Sequence, residues 1–221
     1  MDQEKRKARI YLVDDHPIIR KGFTQVINQE SDLEVCGSAD NADDTLRDVI
    51  NLKPDCVIVD VLLENASGID IVKGLKRRFP NLCMMVLSMH DESIYAERAL
   101  RAGARGYIMK KEASEKIVGA IRHVLSGKIY LSDEMSSRLL EKFTLPEQDM
   151  SDSTIDQLTD RELEVFRMIG RGYKPGDIAR ELNLSTKTIE TYRDHIKRKI
   201  GVRTASELTR LAVDWVGTMN V

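Results

Sequence analysis

The sequence predicts an α/β fold, a doubly wound five-stranded parallel sheet, joined to a second, smaller all-α domain with a helix-turn-helix. Three observations carry this. Five short, nearly all apolar stretches alternate with stretches of helical spacing between residues 9 and 125. The alternation stops near Gly127, and after Ile155 only helical spacing remains. Four of the five apolar stretches run straight into a chemically active side chain: Asp14 and Asp15, Asp60, Ser88, and Lys110.

The elements follow in order. A strand over 9–13 precedes a helix over 17–28, and a strand over 33–38 precedes a helix over 42–52. Strands over 55–59, 82–87 and 106–109 precede helices over 69–79, 92–101 and 114–125. Strands this apolar fit a sheet covered by helices on both faces. Gly103 follows Ala102 where a helix should stop and suits a left-handed cap. Val118, Ile121, His123, Val124 and Leu125 give the helix over 114–125 an apolar side. A short helix is expected over 133–143, then a polar, proline-containing stretch over 144–153 that reads as a linker.

In the second domain Thr159 and Glu162 form a capping-box pattern at the start of a helix running to Ile169, which ends at Gly170-Arg171-Gly172. Pro175 opens a short helix over 175–182. Asn183-Leu184-Ser185 makes a tight turn, and Ser185 or Thr186 caps a helix over 186–200 closed by Gly201. A last helix covers 205–216. The expected domains are therefore 1–127, a linker with a short helix over 128–154, and 155–221.

The totals exclude several classes. With 42% hydrophobic and 32% charged residues the 221-residue chain reads as a soluble globular protein. No apolar run approaches the ~20 residues a bilayer span requires, and the basic N-terminus has no apolar segment behind it, so neither membrane nor secretion is expected. Cys36, Cys56 and Cys83 all fall in predicted strands, lack CxxC spacing, and read as reduced core thiols of a cytoplasmic protein.

In a parallel sheet, strand ends converge on one edge, where ligands bind. Asp14, Asp15, Asp60, Ser88 and Lys110 would gather there. Three adjacent carboxylates repel unless a cation neutralises them, and an all-oxygen set suits Mg²⁺. A lysine beside such an ion is a common phosphoryl partner. Taken singly, Ser88 reads as a turn residue, Tyr107 as half-buried core, Lys111 as solvated, and His16 as an N-terminal helix residue rather than a ligand. The constellation outweighs those readings.

The helices over 175–182 and 186–200 have the spacing of a helix-turn-helix. Between Ser185 and Arg203, six bases against two acids leave +4 in a chain of formal charge −2. Such concentration is the footprint of phosphate binding. Lys187, Glu190, Thr191 and Asp194 share a face that could meet base edges; Thr188, Arg193, Lys197 and Arg198 complete the candidate DNA contacts. On spacing alone, a small bundle with a solvated basic helix is an equal alternative.

At these residues the chain resembles the two-component response regulators of the NarL/LuxR type. Leu12-Val13-Asp14-Asp15-His16-Pro17, Val59-Asp60, Ser67-Gly68, Leu87-Ser88, Ala102-Gly103-Ala104 and Gly106-Tyr107-Ile108-Met109-Lys110 carry the first half of the likeness. Leu158-Thr159-Asp160-Arg161-Glu162, Asp177-Ile178-Ala179, Leu184-Ser185, Thr188-Ile189-Glu190-Thr191-Tyr192-Arg193 and Lys199-Ile200-Gly201-Val202 carry the second. The resemblance implies a flavodoxin-like receiver whose Asp60 takes a phosphoryl group from a sensor histidine kinase. It implies Mg²⁺ on Asp15, Asp60 and the Leu62 carbonyl, with Asp14 holding a metal water. Lys110 would pair with a phosphoryl oxygen, Ser88 would swing to hydrogen-bond it, and Tyr107 would turn inward. Implied partners are double-stranded operator DNA, RNA polymerase and, on phosphorylation, a second copy of the chain through the helices over 17–28 and 114–125. The implied role is transcription control, with at most hydrolysis of the chain's own acyl phosphate.

Two departures stand out. Glu64 occupies the place of a usual proline, which is expected to alter phosphorylation kinetics. Glu190 and Tyr192 stand where many relatives have lysine and histidine, which bears on the target sequence. Two rival readings are a phosphatase acting through an aspartyl-phosphate and a regulator independent of phosphorylation. The phosphatase would usually need an acid two residues past Asp60, where Leu62 stands. The other leaves an electrostatically costly acidic pocket unused.

Overall fold

The structure, a computed structural model, describes residues 6–64, 66–144 and 154–219, with the side chains of 142–144 and 219 excepted. The chain divides into two compact units, Met1–Thr144 and Leu145–Val221.

In the first unit β1 (Ala8–Val13) leads to α1 (Pro17–Asn28), β2 (Leu33–Ala39) to α2 (Ala42–Leu52), and β3 (Cys56–Asp60) to a small hairpin, β4 (Leu62–Leu63) and β5 (Ala66–Ser67). Then come α3 (Gly68–Arg78), β6 (Cys83–Ser88), α4 (Glu92–Ala102), β7 (Tyr107–Met109), α5 (Lys110–Leu125) and α6 (Asp133–Thr144). The main sheet runs β2-β1-β3-β6-β7, all parallel. The change of direction beside β1 and β3 is the switch point where such sheets open a crevice at their carboxyl ends.

Period two divides the strands between two cores. Ile10, Leu12, Ile58, Met85, Leu87 and Ile108 pack with Ile27 of α1 and with Ile117, Ile121 and Val124 of α5. Each such side chain contributes about 1.5–3 kcal/mol on burial. Over the opposite face, Tyr11 Oη donates to Asp48 Oδ2 of α2 at 2.8 Å. Helices α2, α3 and α4 start on polar caps: the side chains of Asn41, Ser67 and Asp91 accept from the backbone N–H groups of Asp44, Asp70 and Ser93. Gly103 closes α4 at φ 110°, as its place in the sequence suggests.

Three features depart from the sequence expectation. α5 begins at Lys110 rather than Ser114, because the intervening Lys-Glu-Ala run is strongly helix-forming. β7 begins at Tyr107, since Gly106 instead bridges to Tyr130 beyond α5. α6, expected within a linker over 128–154, belongs to the first unit: the Ser132 N–H donates to Glu92 Oε1 at 3.0 Å and Met135 is buried. The rest of that expected linker, 145–153, and the N-terminal residues 1–5 lie outside the described residues.

Among its described residues the second unit has a short 3₁₀ turn (Thr154–Gln157) and four helices, α7 (Asp160–Gly170), α8 (Pro175–Glu181), α9 (Thr186–Ile200) and α10 (Ala205–Met219). The capping box forms: Thr159 Oγ1 accepts from the Glu162 N–H at 3.3 Å and Glu162 Oε2 accepts from the Thr159 N–H at 2.7 Å. Ser185, not Thr186, caps α9, accepting from the Thr188 N–H at 3.0 Å. Phe166, Ile178, Ile189, Ile196 and Leu208 are wholly buried. Leu182 and Leu184, at the turn between α8 and α9, are only half-buried. Asn183 takes the left-handed conformation (φ 53°) that turns α8 into α9.

Candidate functional site

β1 delivers Asp14 and Asp15, β3 ends on Asp60, and the β7–α5 junction delivers Lys110. Asp14, Asp60 and Lys110 are buried, and Asp15 is half-buried. Lys110 Nζ lies 2.6 Å from Asp60 Oδ2, to which it donates, and 2.6 Å from Asp14 Oδ2. Burial pushes the Asp60 carboxyl up to about 6; Lys110 opposes that shift, while Asp14 and Asp15 reinforce it. Burial alone would lower the Lys110 ammonium, but Asp60 and Asp14 more than offset it and hold it above its ordinary value.

One ammonium does not balance three carboxylates. Among the described residues, Asp14 Oδ2 and Asp15 Oδ1 are buried oxygens without an aligned hydrogen-bond donor, although each has an ion-pair neighbour. The excess of carboxylates over ammonium is what a bound cation would offset. One ligand atom each from Asp14, Asp15, His16 and Asp60 lies within 4.8 Å of the others. The donor set therefore fits a hard divalent cation.

α9 presents the second candidate surface. Lys187, Glu190, Thr191, Asp194 and Arg198 are exposed along one stripe, while Ile189, Ile196 and Ile200 fasten the opposite side to the core. Arg193 Nη1 lies 3.0 Å from Glu190 Oε1, and Lys197 Nζ 2.9 Å from Asp194 Oδ1.

The pattern of the response regulator receiver domain matches residues 10–122, and that of the bacterial regulatory proteins of the luxR family matches 156–212. The response regulator GacA of Pseudomonas aeruginosa is 35% identical over 205 residues, covering 93% of this chain and 95% of that one. This chain is a two-component response regulator with a LuxR-type DNA-binding domain. The oxygen regulatory protein NreC of Staphylococcus carnosus is 32% identical over 93% of this chain and 96% of its own. The structure of the response regulator RcsB in complex with DNA is similar over 93% of this chain and 97% of that one, with TM-score 0.56 and 26% identity. A LuxR-family response regulator from Aurantimonas sp. SI85-9A1 covers 63% of this chain and 99% of its own, with TM-score 0.58 and 30% identity.

In this response regulator the receiver brings together most of the residues that its sequence singles out. Ser88 follows Leu87, the register partner of Asp60, and its Oγ accepts from the His90 N–H at 3.1 Å. Tyr107 is turned inward and buried, donating its hydroxyl to the His90 carbonyl at 2.8 Å. Burial holds its phenol far above the ordinary value, against the Ser88 contact. Leu62 sits two residues past Asp60, in β4 opposite Ser67.

Two receiver residues were undervalued in the sequence. His16 stands at the N-cap position of α1 without a side-chain capping bond, and its Nδ1 lies 2.7 Å from Asp15 Oδ1 and 3.2 Å from Asp14 Oδ1. Gly68 was only a motif position. A Cβ there would stand 1.7 Å from the Asp60 carbonyl oxygen, while its N–H donates to the Val61 carbonyl at 2.7 Å. Glycine is thus required directly behind the phospho-acceptor candidate.

The LuxR-type domain corrects the basic-residue count. Lys199 Nζ lies 2.5 Å from Glu162 Oε2, and His195 Nδ1 lies 3.7 Å from Glu162 Oε1. Lys199 therefore pins α9 to the start of α7 instead of facing outward. Burial would raise the Glu162 carboxyl, but Lys199 and Thr159 together hold it below its usual range. Thr188, a proposed DNA contact, is half-buried with its Oγ1 2.8 Å from Ser185 Oγ at the cap.

Proposed function

We propose that Asp60 is the phospho-acceptor of this regulator and that the state of Asp60 sets its affinity for operator DNA. The supporting observation is the Lys110 ammonium held against Asp60 and Asp14 beside two carboxylate oxygens lacking aligned donors. An Asp60 carboxylate oxygen attacks the phosphorus of a phosphohistidine on a sensor kinase. The P–N bond breaks, and the histidine nitrogen leaves with its electron pair. Lys110 transfers its contact from Asp60 to a phosphoryl oxygen, Ser88 turns its hydroxyl from the His90 N–H towards another, and inward Tyr107 keeps the space behind it filled. Asp15, Asp60 and the Leu62 carbonyl would hold Mg²⁺, with Asp14 on a bound water. When bound, Mg²⁺ neutralises charge on the transferred group. The chemistry needs positioning and charge balance more than covalent help.

In this reading the phosphorylated chain forms a homodimer through α1 and α5. Lys187, Glu190, Thr191 and Asp194 face the DNA groove, Arg198 meets a phosphate, and Arg193 and Lys197 turn from their acid partners to phosphates. Two copies would read half-sites about one DNA turn apart and present the complex to RNA polymerase, in the cytoplasm where kinase domain and DNA meet. The only turnover would be hydrolysis of its own acyl phosphate, and Glu64 would set the rate: Glu64→Pro is expected to change the acyl-phosphate lifetime. The test is to treat the chain with a small phosphodonor and Mg²⁺, trap the acyl phosphate by reduction and map it. Label on Asp60, absent from Asp60→Asn, supports the reading; label on another residue overturns it.

A further inference from the structure

The sequence assigns Cys56 and Cys83 to the reduced core, but the sheet register gives them a closer relationship. They are directly opposed on β3 and β6, at the edge of the sheet remote from Asp60. Opposed residues on neighbouring strands project to the same face. Strand spacing of about 4.8 Å lies inside the Cα separation of about 4.4–6.8 Å that a disulfide tolerates. Cys56 belongs to the core on that face, and Cys83 packs against the same core. The Cys56 thiol donates only a long bond, 3.9 Å, to the Val57 carbonyl.

The environments of the two sulfurs differ. Cys56 is wholly buried, whereas Cys83 is partly exposed. The Cys56 contact, helped by Arg105 and Lys76, draws the Cys83 thiol below its ordinary value, and the Cys83 contact together with burial drives Cys56 well above. A thiolate is the nucleophile in thiol oxidation, so the accessible member of the pair is the reactive one. Cys36 differs on both counts: its thiol donates to the Ile10 carbonyl at 3.4 Å, and burial raises it.

From this register and this asymmetry of exposure we infer that Cys56 and Cys83 form a reversible disulfide when the chain meets a hydroperoxide. The Cys83 sulfur attacks the outer peroxide oxygen. The O–O bond breaks, the leaving oxygen takes a proton, and Cys83 becomes a sulfenic acid. The Cys56 sulfur then attacks Cys83 sulfur; the S–O bond breaks, and hydroxide leaves as water with the Cys56 proton. The pair loses two hydrogens and the peroxide becomes an alcohol, or water, plus water. Cys83 is partly exposed, so a small thiol can reach the bond and reduce it. It is a switch rather than a staple, built into the two strands that lead to Asp60 and Ser88.

The test uses the full chain, reduced and then exposed to hydrogen peroxide. Remaining thiols are alkylated and the peptides mapped. A Cys56–Cys83 bridge that dithiothreitol reverses, with Cys36 still alkylated, is expected. Cys56→Ala, whose circular dichroism spectrum must match wild type, should stop at a Cys83 sulfenic acid that dimedone traps. A wild-type chain that accumulates Cys83 sulfenic acid with Cys56 free overturns the inference. So does a bridge to Cys36 or between chains, or no oxidation before unfolding; wild-type mapping alone decides these cases.

Discussion

The receiver pocket and the exposed face of α9 solve opposite electrostatic problems. The pocket packs like charges where water is scarce. Asp14, Asp60 and Lys110 are each under a tenth exposed, and their charges are left unbalanced. The α9 face carries its charges in solvent, and Arg193 and Lys197 already lean on acids four or fewer residues away. Buried ion pairs are costly to break, whereas exposed pairs contribute about 0–1 kcal/mol. The pocket is therefore poised to change state when a charge is added. The helix face instead holds its charges in a fixed helical array, which the proposed function uses as a reader.

The largest consequence lies at Lys110. Lys110→Ala strands two buried carboxylates, and denaturant unfolding of the metal-free chain should show a loss of about 3–5 kcal/mol. A loss comparable to that of an exposed lysine would break the contrast between the two regions.

Asp60 should behave in the opposite sense. Its carboxyl is raised from 3.8 to about 6 in the fold. Its stabilising share is therefore present below the unfolded value and is lost as pH rises through about 6. At pH 7 Asp60→Asn should stabilise the metal-free chain by roughly 3 kcal/mol, with the gain fading as pH falls towards the unfolded value. Saturating Mg²⁺ should narrow the gap by stabilising wild type alone. Paired thermal melts across pH and Mg²⁺ check this.

Gly68→Ala forces the backbone away from the Asp60 carbonyl. The expected cost is about 1–3 kcal/mol, accompanied by weaker Mg²⁺ binding in equilibrium dialysis. Arg198→Ala, on the other surface, should leave stability within about 0.5 kcal/mol. It should weaken DNA binding uniformly across sequences and lower the salt slope by about one, read by binding titrations at several salt concentrations.

These contrasts also explain what the sequence could show. The strand-end residues Asp14, Asp60, Ser88 and Lys110 were legible because a covered parallel sheet announces each strand as an apolar run and converges their ends. Helix starts were legible where a side chain caps them, as at Thr159 and Ser185. What escaped depends on contacts between distant segments. Gly68 matters because of the Asp60 carbonyl, Lys199 because of Glu162, and Cys56 because of Cys83. The β4–β5 hairpin is too short to leave a period. His16 is adjacent to the acids in sequence, but only the backbone turn after Asp15 aims its ring at them.

The most direct test of coupling between the two regions is the affinity of the full chain for operator fragments at one fixed salt concentration. It would be measured with and without a small phosphodonor plus Mg²⁺, in wild type and in Asp60→Ala. Binding tightened by about tenfold, a coupling of ~1.4 kcal/mol, in wild type and unchanged in Asp60→Ala is the result this account predicts. Equal affinity under all four conditions would contradict it, leaving α9 a reader that the pocket does not govern.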